Sequence, residues 1–151
     1  MSAKVLYLGI KEKNVTGLES LAKQLEDFRS KDNRFIFNVN PIPGEIEVLQ
    51  IVVEDREELP IFLSVSDEQI LCIAYLFKNN EVDQQLVSEM SDAMLSANIS
   101  IPLSSFAKID DQYVLYGALS INSSTSEVIH EIETLSSNTI EAIEAMRNYL
   151  N

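Results

Sequence analysis

Two kinds of spacing divide the chain into helices and strands. Apolar residues recur every three or four positions from Leu18 to Phe28, which predicts a first helix, and Thr16 is placed to cap its start. The period changes to two in "NRFIFNVN" and "EIEVLQIVV", which predict a hairpin around the turn "PIPGE". The apolar faces of its two strands are Phe35, Phe37 and Val39, and Ile46, Val48 and Val52.

The remainder of the chain repeats this change of period. "ELPIFLSVSDEQILCIAYLF" predicts a second hairpin, and "KNNEVDQQLVSEMSDAMLSAN" predicts a second helix. Asn79 or Asn80 can cap that helix, and Asn98 suits a left-handed terminus. "PLSSFAKI" and "QYVLYGALSI" form a third hairpin around Asp110 and Asp111.

A long last helix is predicted from "SSTSEVIHEIETLSSNTIEAIEAMRNYL". Ser124 or Thr125 caps it, Glu127 favours its positive end, and "SSNT" is expected to bend or interrupt it. Its expected apolar stripe consists of Val128, Ile129, Ile132, Leu135, Ile140, Ile143 and Met146.

The predicted elements follow the order α-β-β-β-β-α-β-β-α with short connections, so we treat residues 1–151 as a single domain. Antiparallel hairpins with separated helices predict an α+β fold, with a single antiparallel sheet and helices. Residues 1–13 are left open in this assignment, and a short extra strand over 3–10 is one interpretation.

The strands predicted over Ile70–Phe77 and Tyr113–Ile121 are apolar on both sides. Because a half-covered antiparallel sheet alternates apolar and polar residues, either helices lie on both faces or another chain covers the second. We favour another chain, and the simplest is a second copy in a two-fold homodimer. The candidate interaction surface consists of Ile70, Cys72, Ala74, Leu76, Tyr113, Leu115 and Leu119.

Charge excludes some partners. The chain has 24 acidic and 11 basic residues, a formal charge of −13, which repels phosphate backbones and anionic membrane surfaces. No nucleic acid is therefore expected. The acidic cluster at 54–58 is either a solvated turn or a docking surface for a basic segment. The single cysteine, the lack of a signal-peptide pattern and the lack of an apolar run near the roughly 20 residues of a membrane span predict a cytoplasmic protein.

Candidate chemistry centres on His130, the only histidine. With Glu127 and Glu131 it forms a candidate polar site, and the alternative is an ordinary surface histidine. "HEIE" lacks the second histidine of a zinc-protease helix, so we predict no metal site, and no motif indicates a cofactor. Cys72 is expected to be an unreactive core thiol, and Gly117 to mark a bulge or the close approach of another backbone.

Four segments occur in a distinctive order: "ELPIFLSVSDEQILCIAYLF", "IPLSSFAKI", "YGALSINSS" and "IHEIETLSSNTIEAIEAM". They resemble the YjfI-like family of small bacterial cytoplasmic proteins, a domain of unknown function, and the resemblance runs from about Pro41 to the C-terminus. It implies no catalytic residue, and the frequent location of the family's genes beside those of PspA-like proteins implies an envelope-stress context. The fold is similar to type III secretion chaperones and YbjN-like proteins, which implies binding of extended or amphipathic protein segments.

These observations support a non-enzymatic, homodimeric protein-binding module, an adaptor or a chaperone-like regulator. Its expected partners are a second copy and another protein or an amphipathic or basic segment. The alternative is a small hydrolase or ligand-binding enzyme that uses His130 with a neighbouring carboxylate. A structural subunit of a larger assembly is a third hypothesis.

Overall fold

Three helices and one sheet make up the part of the chain that the computed structural model describes, residues 17–28 and 35–151. The helices are α1 (Gly17–Asp27), α2 (Val87–Ala97) and α3 (Thr125–Met146). The strands are β1 (Phe37–Ile42), β2 (Val48–Val53), β3 (Ile61–Val65), β4 (Gln69–Lys78), β5 (Ser105–Ile109) and β6 (Gln112–Ser120). They pair antiparallel in the order β1-β2-β3-β4-β6-β5. The predicted α+β fold and its element order are confirmed.

The helices cover one face of the sheet. α1 packs on β1, α3 packs on β4 and β6, and Met90 and Met94 of α2 are buried in the same core. Alternate strand residues point to this side, and most of them are buried: Phe37, Val39, Leu49, Ile51, Val53, Ile61, Leu63, Val65, Ile70, Cys72, Ala74, Phe106, Tyr113 and Leu115. Each large aliphatic side chain buried in this way contributes roughly 1.5–3 kcal/mol to folding.

The first helix forms as its spacing predicts. α1 buries its apolar stripe against β1 and α3: Leu18, Leu21, Ala22 and Leu25. The ring of Phe28, just after the helix, stacks on Phe37 with centroids 5.6 Å apart. The predicted cap Thr16 and the strand considered over 3–10 lie outside the described residues.

The second strand of the first hairpin is turned over relative to its predicted orientation. β2 buries Leu49, Ile51 and Val53. Val48 and Val52, which we expected to face inward, lie on the opposite side, because Val39 pairs with Ile51 and residues paired across a ladder share a face. Ile46 lies in the turn and is 68% exposed. Because β2 is apolar on both sides, its own sequence does not indicate which side faces the core. The pairing register with β1 determines it.

The second helix begins later than predicted. Asn79–Glu81 form a 3-10 turn instead of the helix start, and α2 begins only at Val87. Between them, Val82 forms a β-bridge with Leu150 near the C-terminus. This tertiary contact holds the segment extended, so the helix cannot include it.

The end of α2 also differs from the prediction. Asn98 has φ −53° and ψ −34°, a right-handed conformation, so the predicted left-handed terminus is wrong. Its side-chain oxygen accepts a hydrogen bond from the Phe106 N–H at 2.7 Å. Because β5 is an edge strand, this contact satisfies one of its free backbone donors.

The last helix starts as predicted. The Ser124 hydroxyl accepts the Glu127 N–H at 3.1 Å, and the Glu127 carboxylate accepts the Ser124 N–H at 3.3 Å. This reciprocal pair is a capping box, which satisfies donors that the helix start leaves open.

The predicted interruption at "SSNT" is absent, and α3 is continuous over 22 residues. The Thr139 hydroxyl donates to the Leu135 carbonyl at 2.7 Å, which satisfies a buried polar group inside the helix. The buried face of the second half contains Thr139 and Ala142, whereas Ile140, which we expected to be buried, is 42% exposed. The predicted stripe is therefore correct in the first half of the helix and at Met146, which is also buried, and it is wrong at Ile140.

Candidate functional site

The face of the sheet opposite the helices is the main candidate surface. None of the described helices lies on it, and its central residues are predominantly apolar. They come from all the strands except β1: Val52, Phe62, Leu71, Ile73, Tyr75, Ala107, Tyr116 and Ala118. We call this surface the open face.

The pairing register places these side chains in continuous rows. Phe62 lies opposite Ile73, and Ile73 lies opposite Tyr116 on the next strand. The rings of Phe62 and Tyr75 are in contact, with centroids 5.2 Å apart. Tyr75 is 51% exposed, although a ring of this size normally loses most of its surface in a packed core. The rows thus form a patch and not scattered apolar residues.

The open face is almost without charge. Apart from Lys78, its polar strand residues are neutral: Asn38, Asn40, Gln50, Ser64, Gln69, Ser105, Gln112 and Ser120. Lys78, where β4 ends, is the charged strand residue on this side. A solvated sheet face would be the natural position for part of the 35 charged side chains of the chain. The depletion of charge is typical of the centre of a protein–protein interface.

The seven residues predicted as an interaction surface lie elsewhere. Ile70, Cys72, Ala74, Tyr113 and Leu115 are each at most 4% exposed, and Leu76 and Leu119 are partly buried against the same core. They therefore face the protein's own helices. On the same strands, the alternate residues Leu71, Ile73, Tyr75, Tyr116 and Ala118 form the open face.

The predicted polar site is not assembled by the fold. His130 is exposed on α3, and Glu127 is exposed and engaged in the capping box. Glu131 is 2% exposed and turns toward the sheet. The three side chains do not converge on one pocket, because Glu127 and His130 are exposed to solvent whereas Glu131 is buried.

The position of the Glu131 side chain explains why residue 117 is a glycine. A methyl group added at Gly117 would lie 2.1 Å from Oε2 of Glu131, so the carboxyl group occupies the space beside the glycine. Gly117 pairs regularly with Cys72, and the irregularity of the ladder lies between Tyr75 and Phe77. The predicted bulge is therefore at a different position, and the close approach is made by a side chain and not by a backbone.

The carboxyl group of Glu131 is buried without a full set of hydrogen bonds. Among the described residues, its Oε2 has no hydrogen-bond partner. Burial raises the pKa of Glu131 to about 7, because the ionised form loses its hydration. Burial, and then the charge of Glu131, also raise the pKa of the Cys72 thiol, which agrees with a core thiol of low reactivity.

The acidic segment 54–58 is an ordered turn. The Arg56 guanidinium donates to the hydroxyl groups of Ser136 at 2.9 Å and Ser137 at 3.3 Å, and it lies 5.2 Å from the Phe35 ring centroid. Asp55 has φ 71°, and its N–H donates to the Glu57 carboxylate. The arginine therefore anchors the turn to α3, which supports the interpretation of a solvated turn.

The described residues contain neither a metal-binding cluster nor a membrane-spanning helix. Within 17–28 and 35–151, no three His, Cys, Asp or Glu side chains are grouped so that they could hold a metal ion. No helix in those ranges has the length and apolar character that crossing a bilayer requires.

The fold and the surface define an α+β domain with helices on one side of an antiparallel sheet and an uncharged face on the other. The chain belongs to the DUF2170 family, described as an uncharacterized protein conserved in bacteria, whose family model matches residues 15–150. This match begins well before Pro41, so it covers more of the chain than the resemblance noted from the sequence. No curated protein matches the chain. The YjfI-like and secretion-chaperone-like relationships stay predictions.

Proposed function

We propose that this protein is a non-enzymatic, homodimeric protein-binding module in which the open face packs on the open face of a second copy. The observation that carries the proposal is the uncharged, aromatic-centred face on one side of the sheet. It is the side on which no described helix lies.

Charge favours a second copy as the occupant. Two chains of net charge −13 repel one another wherever their acidic surfaces meet, so close contact requires a face without carboxylates. The open face meets this condition. Its Asn, Gln and Ser side chains both donate and accept hydrogen bonds, so each can pair with the same residue type across a two-fold axis.

The geometry of sheets is compatible with this contact. Six strands spaced about 4.8 Å apart make a sheet roughly 24 Å wide, and two such sheets pack with their backbones about 10 Å apart. The helices of both copies would then lie on the outside of the dimer. They would remain available to a further partner, as an adaptor or chaperone-like role requires. A cytoplasmic, envelope-stress setting belongs to the same proposal and is supported only by the sequence resemblance.

The test uses one substitution on two surfaces. Ala118 is exposed on the open face, and Ala145 is exposed on α3, away from it. We expect the wild-type chain to sediment at twice its mass of 17.0 kDa at micromolar concentration. Ala118→Arg should shift the protein to monomer, because it places two unpaired cations in the contact, whereas Ala145→Arg should remain dimeric.

Two results would contradict the proposal. One is a wild-type mass near 17 kDa throughout the micromolar range. The other is a dimer that survives Ala118→Arg with unchanged affinity, which would place the contact on another surface. Far-ultraviolet circular dichroism of both variants checks that each is folded.

A further inference from the structure

A groove separates the C-terminal parts of α2 and α3 on the helical side of the molecule. It has a volume of about 450 Å³ and is lined mainly by apolar or small residues, among them Ala97, Ile101, Pro102, Phe106, Ala142 and Ala145. Phe106 of β5 belongs to the lining. One wall is α3, and the other is the end of α2 with the loop residues 100–102. This surface is distinct from the open face.

The rim of the groove is held in place by hydrogen bonds. The Asn138 side-chain amide on α3 donates to the Pro102 carbonyl at 2.8 Å and to the Ser104 hydroxyl at 3.0 Å. Leu103 lies between these two anchors with φ 65°, a left-handed conformation that costs a residue with a Cβ roughly 1 kcal/mol. The loop that leads from α2 to β5 is thus fixed against α3, and the groove is formed before any partner arrives.

Large apolar side chains next to the groove are exposed. Ile99 is 93% exposed, Leu95 is 72% exposed and Leu103 is 54% exposed; all belong to α2 or to the loop that follows it. Ile140, adjacent to the groove residue Glu141 on α3, is 42% exposed. Clustered exposure of this kind marks an interaction surface more often than an ordinary solvated helix end.

The helices that form the groove carry only negative charge. α2 and α3 contain Glu89, Asp92, Glu127, Glu131, Glu133, Glu141 and Glu144, and neither helix contains a lysine or an arginine. Glu141 lines the groove itself. Arg147, which follows α3, is 2.6 Å from Glu144 and neutralises that residue only. Glu141 is thus the acidic residue of the groove lining, and Glu89 and Asp92 are exposed earlier on α2. Glu127 is engaged in the capping box and Glu131 is buried against the sheet, so neither contributes to the charge near the groove.

We infer that this groove binds a basic amphipathic helix of a partner protein. Apolar residues on one side of such a helix would fill the groove, and lysines or arginines beside them would face Glu141 of the groove and the exposed Glu89 and Asp92 of α2. A second copy of this chain is a poor occupant, because its own helices carry the same sign of charge. The inference does not depend on the sheet contact.

Three synthetic peptides test the inference by fluorescence anisotropy. The first is a labelled peptide of about 18 residues with leucines on one helical face and lysines on the other. The second replaces each lysine with glutamate, and the third keeps the composition of the first but scatters the leucines around the helix. We expect the first to bind at least roughly tenfold more tightly than either control at low salt, and to weaken as the salt concentration rises.

Two variants locate the peptide. Ala145→Arg blocks the groove, while Ala118→Arg adds the same charge to the open face. We expect Ala145→Arg to weaken binding roughly tenfold and Ala118→Arg to leave it within about twofold of wild type. Equal binding of the scattered peptide would show attraction by charge alone and would overturn the inference. So would equal binding of the glutamate peptide, or a loss of binding confined to Ala118→Arg.

Discussion

The open face of the sheet and the groove between α2 and α3 are both apolar, yet they differ in the charge around them. The open face has neutral polar residues, and Lys78 is its charged strand residue. The groove is bordered by two helices with acidic residues and no basic ones. An exposed apolar surface indicates that something covers it, and the charge of its border indicates what kind of partner that is.

The two surfaces lie on opposite sides of the sheet. A contact through the open face leaves α2 and α3 accessible, so both surfaces can be occupied at once. α3 lies between them, because it packs on β4 and β6 and also forms one wall of the groove. Changes at the α3–sheet contact should therefore affect the helical side more than the open face.

The largest effect should come from a charge on the open face. Tyr75→Glu replaces a half-exposed ring by a carboxylate that would be buried in the dimer and would meet its two-fold copy. We expect the dimer to weaken by roughly a thousandfold, or about 4 kcal/mol, as measured by sedimentation equilibrium.

The matched control for this variant is Leu95→Glu on α2. Leu95 is 72% exposed, so the substitution adds the same charge in place of an exposed apolar residue on the other surface. It should leave the dimer unchanged. If Leu95→Glu dissociates the dimer and Tyr75→Glu does not, the roles assigned to the two surfaces are reversed.

A smaller effect is expected from the buried carboxyl group that links α3 to the sheet. The pKa of Glu131 is about 7 in the folded protein, against an ordinary value of 4.5. Below the ordinary value both states hold the proton, and the group costs nothing. As the pH rises toward 7 the unfolded state releases its proton first, so stability falls, and above 7 the full penalty is about 3 kcal/mol.

Glu131→Gln should remove this pH dependence. The stability of the variant relative to wild type should rise by about 3 kcal/mol between about pH 4 and pH 8, as measured by urea unfolding at each pH. The other carboxyl groups are common to both proteins and cancel in the difference. A difference that stays constant with pH would mean that Glu131 ionises normally in the folded state.

The smallest effect concerns the glycine beneath that carboxyl group. Gly117→Ala places a methyl group 2.1 Å from Oε2 of Glu131, and displacing the packed side chain should cost about 2 kcal/mol of unfolding free energy. The open face should be little affected, because Gly117 points to the helical side.

A double-mutant cycle separates this contact from a general strand effect. In the Glu131→Ala background the added methyl group has room, so Gly117→Ala should cost less than about 0.5 kcal/mol. An equal cost in both backgrounds, measured by urea unfolding, would show that the glycine is needed for another reason. Binding of the basic peptide to each variant would then show whether α3 has moved.

Local signals in the sequence were sufficient for several parts of the fold. Ser124 and Glu127 are spaced as a capping box, and they form one. Asp110 and Asp111 lie in the predicted turn between β5 and β6, because alternating strands flank them on both sides. The capping box and the turn depend on residues that are close in the chain, so the local sequence pattern is sufficient to predict them.

The open face could not be selected from the sequence. Cys72 and Ala74 are as apolar as Leu71 and Ile73, so a period of two identifies the strand without saying which set is inside. The side on which α3 packs makes that choice. Likewise nothing next to Glu131 in the chain indicates burial, since the space for it is created by Gly117 on a strand that precedes the helix.

What the sequence by itself determined is the order and type of the elements, because helix and strand periods and capping residues act over a few positions. Only the tertiary structure decided which strand residues face the helices, where the start of α2 is delayed by the Val82–Leu150 bridge, and how α2 and α3 enclose a groove. These choices depend on contacts between segments far apart in the chain. Where a strand is apolar on both sides, its own pattern carries no information about which side those contacts will cover.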